Sequence, residues 1–196
     1  LDCLDSLLAA PDVVLHIVVV DTASTDGSAD LIRAWAAGPA GPRQPPELPF
    51  AVPHHPQALP LHDRVPHTSE RSTVTLLEAP MNGGFAAGVS LGLAALHQVP
   101  TLDRFWVLNP DCIVPPQTPL HFATYHPPGG VFSVMGGRVR YVHDPDQLQS
   151  DGGVFNRRSG VTSNISRGCS HARTPPPDTE TLDYISGATI VASRAI

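Results

Sequence analysis

The sequence predicts an α/β domain built on a mostly parallel sheet. Two short apolar segments, 15–20 and 105–108, each stop at a polar turn that carries a carboxylate, Asp21 or Asp111. Such segments are typical of strands that helices cover on both faces. Because ligands of open α/β sheets bind at the carboxyl ends of strands, we expect both carboxylates at one cleft, on neighbouring strands of one sheet. Each aspartate taken alone is explained as well by a turn-forming role.

Helical and strand patterns also alternate in the first part of the chain. The apolar spacing of residues 1–8 predicts the end of an amphipathic helix, ahead of the strand at 15–20. Ser28 is positioned to cap a helix over 29–37. Parallel α/β domains usually begin with a strand, so we expect one strand and part of a helix to precede residue 1.

Residues 38–73 differ in composition from the rest of the chain. They are rich in proline, lack any apolar periodicity and contain His54, His55, His62 and His67. This pattern predicts a long surface insertion that forms no part of the core. Metal binding by the histidines is the weaker interpretation, because their spacing fits neither a helix face nor a zinc-finger pattern.

The remaining chain predicts further strands and helices, with a glycine-rich turn before one of the helices. The expected elements are a strand at 73–78, a helix at 86–97, the strand at 105–108, a helical stretch at 117–125, one strand at 131–141, a turn and short strand at 151–156, a loop at 157–181 and a strand at 182–191. Gly83 and Gly84 stand where backbone amides can approach a phosphate. Their spacing matches neither the dinucleotide fingerprint nor the P-loop, so close helix packing remains an alternative explanation.

Composition excludes several classes of function. The formal net charge is −6 and no basic-aromatic patch occurs, which argues against nucleic acid as a partner. The three cysteines are far apart and form no CxxC pair, which argues against a disulfide framework or a zinc site and favours a reducing compartment. No apolar run approaches the roughly 18 residues that span a membrane.

Four motifs in a fixed order carry a resemblance to a known family. They are VVVDTASTDGS (18–28), NGGFAAGVSLGL (82–93), FWVLNPDCIVPP (105–116) and DYISGATIVASRA (183–195). Together they resemble the family 2 glycosyltransferases, in particular the rhamnosyltransferase-like branch. The resemblance covers the chain outside the 38–73 insertion. It implies a GT-A fold, which is a Rossmann-like α/β/α sandwich with a mostly parallel sheet, in a single nucleotide-sugar-binding domain that is incomplete at both ends.

The resemblance also implies the roles of particular residues. Asp21 corresponds to the carboxylate that hydrogen-bonds the nucleoside base, and Asp111 to the ligand of a Mg²⁺ or Mn²⁺ ion that bridges the diphosphate. The implied donor-binding set is Asp21, Ser24, Asp26, Asn82, Gly84, Asn109, Asp111, Ser186, Gly187 and Ala188. One carboxylate suffices for such a cation when phosphate oxygens supply further ligands. Thr22 and Ser90 depart from the residues that are usual in the family.

The reaction that the resemblance implies is an inverting, metal-dependent sugar transfer. A nucleotide-diphosphate sugar is the expected donor, and a glycan or lipid-linked molecule is the expected acceptor, as in polysaccharide biosynthesis. The expected location is the cytoplasm, with peripheral contact at the inner face of the membrane. In the family the general base follows the Ser-Gly-Ala segment, so we expect it beyond Ile196; Asp178, Glu180 and Asp183 are the alternatives within the chain.

Two other functions compete with sugar transfer. The first is a non-catalytic module or degenerate remnant that binds a nucleotide sugar without turnover, and the absence of an assignable base favours it. The second is a nicotinamide-dependent oxidoreductase, which the lack of a dinucleotide fingerprint disfavours.

Overall fold

The computed structural model of the chain describes residues 1–38, 47–53, 58–128 and 130–195. The helices are α1 (Asp2–Leu8), α2 (Ser28–Ala37), α3 (Gly84–His97) and α4 (Thr118–Thr124), with a 3₁₀ turn at Thr179–Thr181. The strands are β1 (His16–Asp21), β2 (Leu61–His62), β3 (Thr73–Glu78), β4 (Arg104–Leu108), β5 (Val134–Met135), β6 (Val139–Arg140), β7 (Leu148–Ser150), β8 (Gly153–Asn156), β9 (Val161–Asn164) and β10 (Thr189–Ser193). Among the described helices, none has the length and apolar character that crossing a membrane requires.

The described strands form four small sheets. The first sheet has the order β1-β3-β2, and its strands are parallel, with His16 opposite Thr73 and Asp21 opposite Glu78. The second has the order β4-β10-β5 and is antiparallel. Two further antiparallel pairs, β6-β7 and β8-β9, complete the described sheet structure.

The predicted GT-A fold, a Rossmann-like α/β/α sandwich with a mostly parallel sheet, is wrong for this chain. Within the described residues only β1, β2 and β3 run parallel, and β4 pairs with the antiparallel β10. A parallel neighbour requires a crossover, usually through a helix, between the two strands. After α4 the chain instead forms short antiparallel pairs before it returns as β10. The architecture is therefore mixed, and β1 and β4 lie in different sheets rather than side by side in one.

Helices cover both faces of the first sheet. On one face, Leu4 of α1, Trp35 and Ala36 of α2 and Val74 of β3 form a buried apolar cluster. The Trp35 indole Nε1 donates a 3.0 Å hydrogen bond to the buried Asp5 carboxylate, which joins the two helices beneath the sheet. This pairing satisfies two polar groups that would otherwise make burial of the cluster costly.

The other face of the first sheet is covered by α3 at unusually close range. A Cβ atom added at Gly88 would lie 3.1 Å from Cγ2 of Thr22, and one added at Gly92 would lie 3.2 Å from Cγ2 of Val20. Two glycines one helical turn apart therefore let the helix backbone approach β1. Close packing therefore explains Gly88, whereas a Cβ atom added at Gly84 would meet no atom within 4 Å.

The local predictions agree with the structure best in the first 125 residues. The predicted helices and strands there correspond to α1, β1, α2, β3, α3, β4 and α4. The predicted cap is off by one, because Gly27 occupies the cap position and Ser28 starts the helix. Farther on, the predicted loop at 157–181 contains β9, and the predicted strand at 182–191 forms only from residue 189.

The prediction that residues 38–73 lie outside the core is wrong for the later part of that segment. The backbone N–H of Leu59 donates a 2.8 Å hydrogen bond to the carbonyl of Ala36. Leu61 pairs with Val74 in the parallel sheet, and Val65 is buried. Once the sheet edge of β3 is available, two residues of strand suffice to bring this segment into the core. His54 and His55 lie outside the described residues.

We expect Val65→Ala to destabilise the protein by about 2 kcal/mol, because it removes two buried methyl groups and leaves a small cavity. Val65 is 8% exposed, whereas Val131, the matched control, is 82% exposed. Urea unfolding followed by circular dichroism measures both. Equal effects of about 0.5 kcal/mol or less in the two variants would show that Val65 is not part of the core.

Candidate functional site

The carboxyl end of β1 forms the first part of the candidate site. Asp21 is half-buried, and its Oδ2 accepts a 3.1 Å hydrogen bond from the backbone N–H of Ser24. Its carbonyl accepts a 2.8 Å bond from Ala79, which fixes the end of β1 against the end of β3. One side-chain oxygen of Asp21 therefore shapes its own turn, and the other remains available for a ligand.

Two further predicted site residues are hydrogen-bonded within their own turns. Asp26 Oδ1 accepts bonds from both the hydroxyl (2.6 Å) and the backbone N–H (3.0 Å) of Ser28. These bonds, the hydroxyl first, lower the pKa of Asp26 below its usual value and keep it ionised at the start of α2. Asn82 Oδ1 accepts a 2.9 Å bond from Gly84, whose φ of +79° favours glycine. Both contacts give these residues a local structural role.

The second part of the site lies at the carboxyl end of β4. The backbone N–H of Asn109 donates a 3.0 Å hydrogen bond to the carbonyl of Ala188. The thiol of Cys112 contacts the same carbonyl at 3.7 Å. Residues 186–188 are therefore held directly against the turn that contains Asp111, although more than 70 residues separate them in sequence.

Asp111 differs from the other predicted acidic residues of the site. Its side chain is exposed, and among the described residues none donates a hydrogen bond to it. Both carboxylate oxygens thus remain available to a ligand. Asp21 and Asp26, by contrast, each commit an oxygen to their own turn.

The thiols of Cys3 and Cys112 lie near Asp111. Burial, followed by the neighbouring Cys112 and Asp111, raises the pKa of Cys3 to about 12, against the opposing effect of the N-terminal amine. Burial and the Asp111 charge also raise the pKa of Cys112. Both groups are therefore neutral thiols near neutral pH, and they are poor metal ligands and poor nucleophiles in that state.

A cavity lies next to both parts of the site. Residues of β1 and of β4 line it, and it has a volume of about 560 Å³. Thr22, which follows β1, Phe85 at the start of α3 and Pro110, which follows β4, all line it. Asp21 and Asp111 are not among the residues that line this cavity, so a common cleft for the two carboxylates stays a prediction. The expectation of neighbouring strands in one sheet is wrong, because β1 and β4 lie in different sheets.

A divalent cation fits this site only together with a second source of oxygen ligands. Within the described residues, no group of three or more His, Cys, Asp or Glu side chains is arranged to hold a metal. The exposed carboxylate of Asp111 is a suitable single ligand for Mg²⁺ or Mn²⁺, because these ions bind oxygen and take remaining ligands from phosphate and water. When bound, such an ion would neutralise charge on a diphosphate.

The three candidate bases lie on the segment that precedes residues 186–188. Asp183 Oδ2 accepts a 2.8 Å bond from the backbone N–H of Phe155, and Asp178 Oδ1 accepts a 3.0 Å bond from Glu180. Glu180 is exposed within the 3₁₀ turn. Two of the three acids are therefore committed to the backbone.

Sequence reasoning missed Cys3 and Arg33 near the site. Cys3 reaches the carbonyl of Asn109 across 106 residues at 3.9 Å. Arg33 of α2 forms an ion pair with Glu78, the residue opposite Asp21 in the sheet. Nothing in the local sequence signals either contact, because both arise from helix packing against strand ends.

No protein-family model, curated protein or solved structure matches the chain. A function must therefore be inferred from the four sequence motifs and from the geometry described above.

Proposed function

We propose that this chain binds a nucleotide-diphosphate sugar together with Mg²⁺ or Mn²⁺ and serves a glycosyltransferase reaction. The observation that carries the proposal is the exposed carboxylate of Asp111, which has no hydrogen-bond donor among the described residues and follows β4 directly. It lies beside residues 186–188, because Asn109 bonds Ala188. A cation ligand next to a second polar backbone segment is the arrangement that a diphosphate with a bound cation requires.

Further support comes from the carboxyl end of β1. Asp21 has one free carboxylate oxygen in a turn that Ser24 stabilises, which suits a hydrogen bond from a nucleoside base. The start of α3 adds the backbone N–H groups of a helix N-terminus, where phosphate groups bind favourably. In this proposal Asp21 contacts the nucleoside, and Asp111 holds the cation that binds the diphosphate.

The proposed reaction is an inverting transfer to a glycan or lipid-linked acceptor. The acceptor hydroxyl oxygen forms a bond to the anomeric carbon of the sugar, and the bond between that carbon and the diphosphate oxygen breaks. The hydroxyl proton passes to a carboxylate, and the electron pair of the broken bond leaves with the nucleoside diphosphate. A cytoplasmic location, with peripheral contact at the inner membrane face, belongs to the same proposal.

A non-catalytic nucleotide-sugar-binding module is the second candidate. It is favoured by the hydrogen bonds of Asp183 to Phe155 and of Asp178 to Glu180, because an acid held by the backbone is a less available proton acceptor. Both candidates share the donor site, and they differ only in turnover.

Calorimetric titration tests donor binding. We expect uridine, guanosine or thymidine diphosphate to bind in the presence of Mn²⁺ and to bind much more weakly in its absence, since the cation links the phosphates to Asp111. The corresponding nucleosides are the matched control and should bind weakly under both conditions. Binding of no diphosphate, or equal binding with and without Mn²⁺, would refute the proposal.

A sugar-transfer assay separates the two candidates. We expect the chain to bind donor yet to transfer sugar very slowly. Asp178 and Asp183 are held by backbone N–H groups, and a positioned general base contributes about 10²- to 10⁴-fold in rate. Asp183→Asn and Glu180→Gln are the informative variants. Robust turnover that one of these substitutions abolishes would contradict this expectation and identify the base within the described chain.

A further inference from the structure

The cavity that β1 and β4 line borders two strands that each have an unpaired edge among the described residues. β1 pairs only with β3, and β4 pairs only with β10, among the described residues. Residues 16–20 of β1 and residues 104–108 of β4 line the same cavity. We call this cavity the strand slot.

The hydrogen bonds of β1 show which backbone groups point into the strand slot. At the two ends of the pairing, Leu15 accepts from Thr73 and Asp21 accepts from Ala79, both at 2.8 Å. Backbone groups alternate in direction along a strand, so the odd-numbered residues of β1 bond β3. The N–H and C=O groups of His16, Val18 and Val20 therefore point away from β3 and into the slot.

The same reasoning applies to β4. Asn109 donates to Ala188 at 3.0 Å, and Arg194 donates to Asp103 at 2.8 Å, so the odd-numbered residues of this strand bond β10. The even-numbered residues consequently direct their backbone groups into the slot. They are Arg104, Trp106 and Leu108.

Helices close the strand slot on both faces with apolar side chains. Cys3 and Leu7 of α1 pack with Ile17 of β1 and with Trp106 and Leu108 of β4, so this helix spans the gap between the two strands. On the other face, α3 contacts both β1 and β4, and its apolar side chains line the cavity. An occupant must therefore be apolar on both faces.

The burial of the strands also indicates that something is missing. All six residues of β1 are only half-buried, although helices cover both faces of that strand. The neighbouring β3, which is paired on both edges, buries Val74, Thr75 and Leu76. An apolar strand with an open edge is a site for pairing with another strand.

We propose that the strand slot receives one further β-strand, an apolar extended segment of five or six residues joined ahead of α1. Both edges of the slot present alternating N–H and C=O groups, whose partial charges are complementary to the backbone of another strand. A fatty acid or other apolar ligand would fill the volume and leave those groups without partners. Five or six residues match the lengths of β4 and β1 and span about 17–20 Å.

The direction of the inserted strand follows from α1. Leu1 lines the slot, and Cys3 reaches Asn109, so the start of the helix lies at the carboxyl end of β4. A strand that leads into α1 must leave the slot at this same end. It therefore runs parallel to β4, and α1 follows it as the helix that leads to β1.

Amide hydrogen exchange measured by NMR tests the proposal directly. A five-residue apolar strand rich in Val and Ile is fused ahead of Leu1 through a short linker, and the unfused chain is the reference. We expect the amides of Val18, Val20, Trp106 and Leu108 to exchange at least about 10-fold more slowly in the fusion, because they gain hydrogen-bond partners. The odd-numbered amides of both strands should be protected in both proteins.

A matched fusion with proline at two central positions is the control, since proline donates no hydrogen bond and cannot pair within a sheet. Equal protection by both fusions, or by neither, would overturn the proposal. Protection of these amides in an unfused chain that sediments as a dimer would also overturn it, by showing that a second copy fills the slot. If the fusion does not fold, the same apolar peptide is added as a separate molecule to the unfused chain. The peptide must then slow the hydrogen exchange of the same four even-numbered amides, and failure to do so refutes the proposal.

Discussion

Asp111→Asn is expected to weaken the binding of a nucleoside diphosphate with Mn²⁺ by at least about 10- to 100-fold. The substitution keeps the size of the side chain and removes the charge that attracts the cation. Asp111 is exposed and accepts no hydrogen bond from the described residues, so the amide should leave the local structure unchanged. Calorimetric titration of both proteins at one Mn²⁺ concentration gives the two dissociation constants.

Asp103 provides a matched control for this experiment. It precedes β4 as Asp111 follows it, and its side chain is 86% exposed with only a 3.9 Å ion pair to Arg104. Asp103→Asn changes the net charge by the same amount at the opposite end of the same strand, so it should leave the affinity within about 2-fold, given the screening of exposed charges. A comparable loss in both variants would mean that net charge, rather than a ligand at the site, controls binding.

Arg138→Met is expected to destabilise the folded protein by about 3 kcal/mol at neutral pH. Nε and Nη2 of Arg138 each donate a 2.8 Å bond to the Asp151 carboxylate, whose side chain is completely buried. Nη1 also bonds the carbonyl of Thr174. Removal of the arginine leaves a buried charge without its partner, which is strongly destabilising. Urea unfolding measures the loss.

The pH dependence of the same variant checks the mechanism. Burial raises the pKa of Asp151, but the hydrogen bonds from Arg138 and Ser166 and the positive charge of Arg138 together outweigh it and hold the pKa below the usual value of 3.8. The ionised carboxylate therefore stabilises the folded state above its unfolded pKa, and this contribution is lost as the pH falls through the folded pKa. The difference between parent and Arg138→Met should accordingly be largest at neutral pH and should shrink below about pH 4.

Arg33→Met serves as the control for Arg138. Arg33 pairs with Asp30 and Glu78, but its side chain is 45% exposed. Exposed ion pairs contribute about 0–1 kcal/mol, so a small loss is expected. If Arg138→Met costs no more than this control, or if its effect does not change with pH, the buried pair does not hold this part of the chain together.

Local sequence patterns were sufficient to predict the elements whose defining contacts span only a few residues. The apolar runs before Asp21 and Asp111 became β1 and β4, and the glycine-rich segment became the start of α3. The motif turns also form as short-range contacts, such as Ser24 to Asp21 and Gly84 to Asn82. These features depend on side chains two or three residues apart, and so they can be predicted from sequence.

Strand pairing could not be predicted in the same way. An apolar run indicates a strand but carries no information on its neighbour, so β4 was expected beside β1 and is instead paired with β10. The entry of Leu61 and Val65 into the core has the same cause, since β3 offers an edge to whichever segment reaches it. The sequence did not indicate β2, because this strand has only two residues and lies in a proline-rich segment.

The sequence by itself determined which residues can carry chemistry, namely two strand-end carboxylates and a glycine-rich helix start. Only the tertiary structure decided that Asp111 is free of hydrogen bonds from the described residues while Asp26 is engaged, and that Ala188 lies against Asn109. It alone decided, too, that β1 and β4 face each other across a slot instead of pairing. The physical reason is that the availability of a carboxylate or a strand edge depends on contacts made by residues distant in the chain, and no local pattern specifies them.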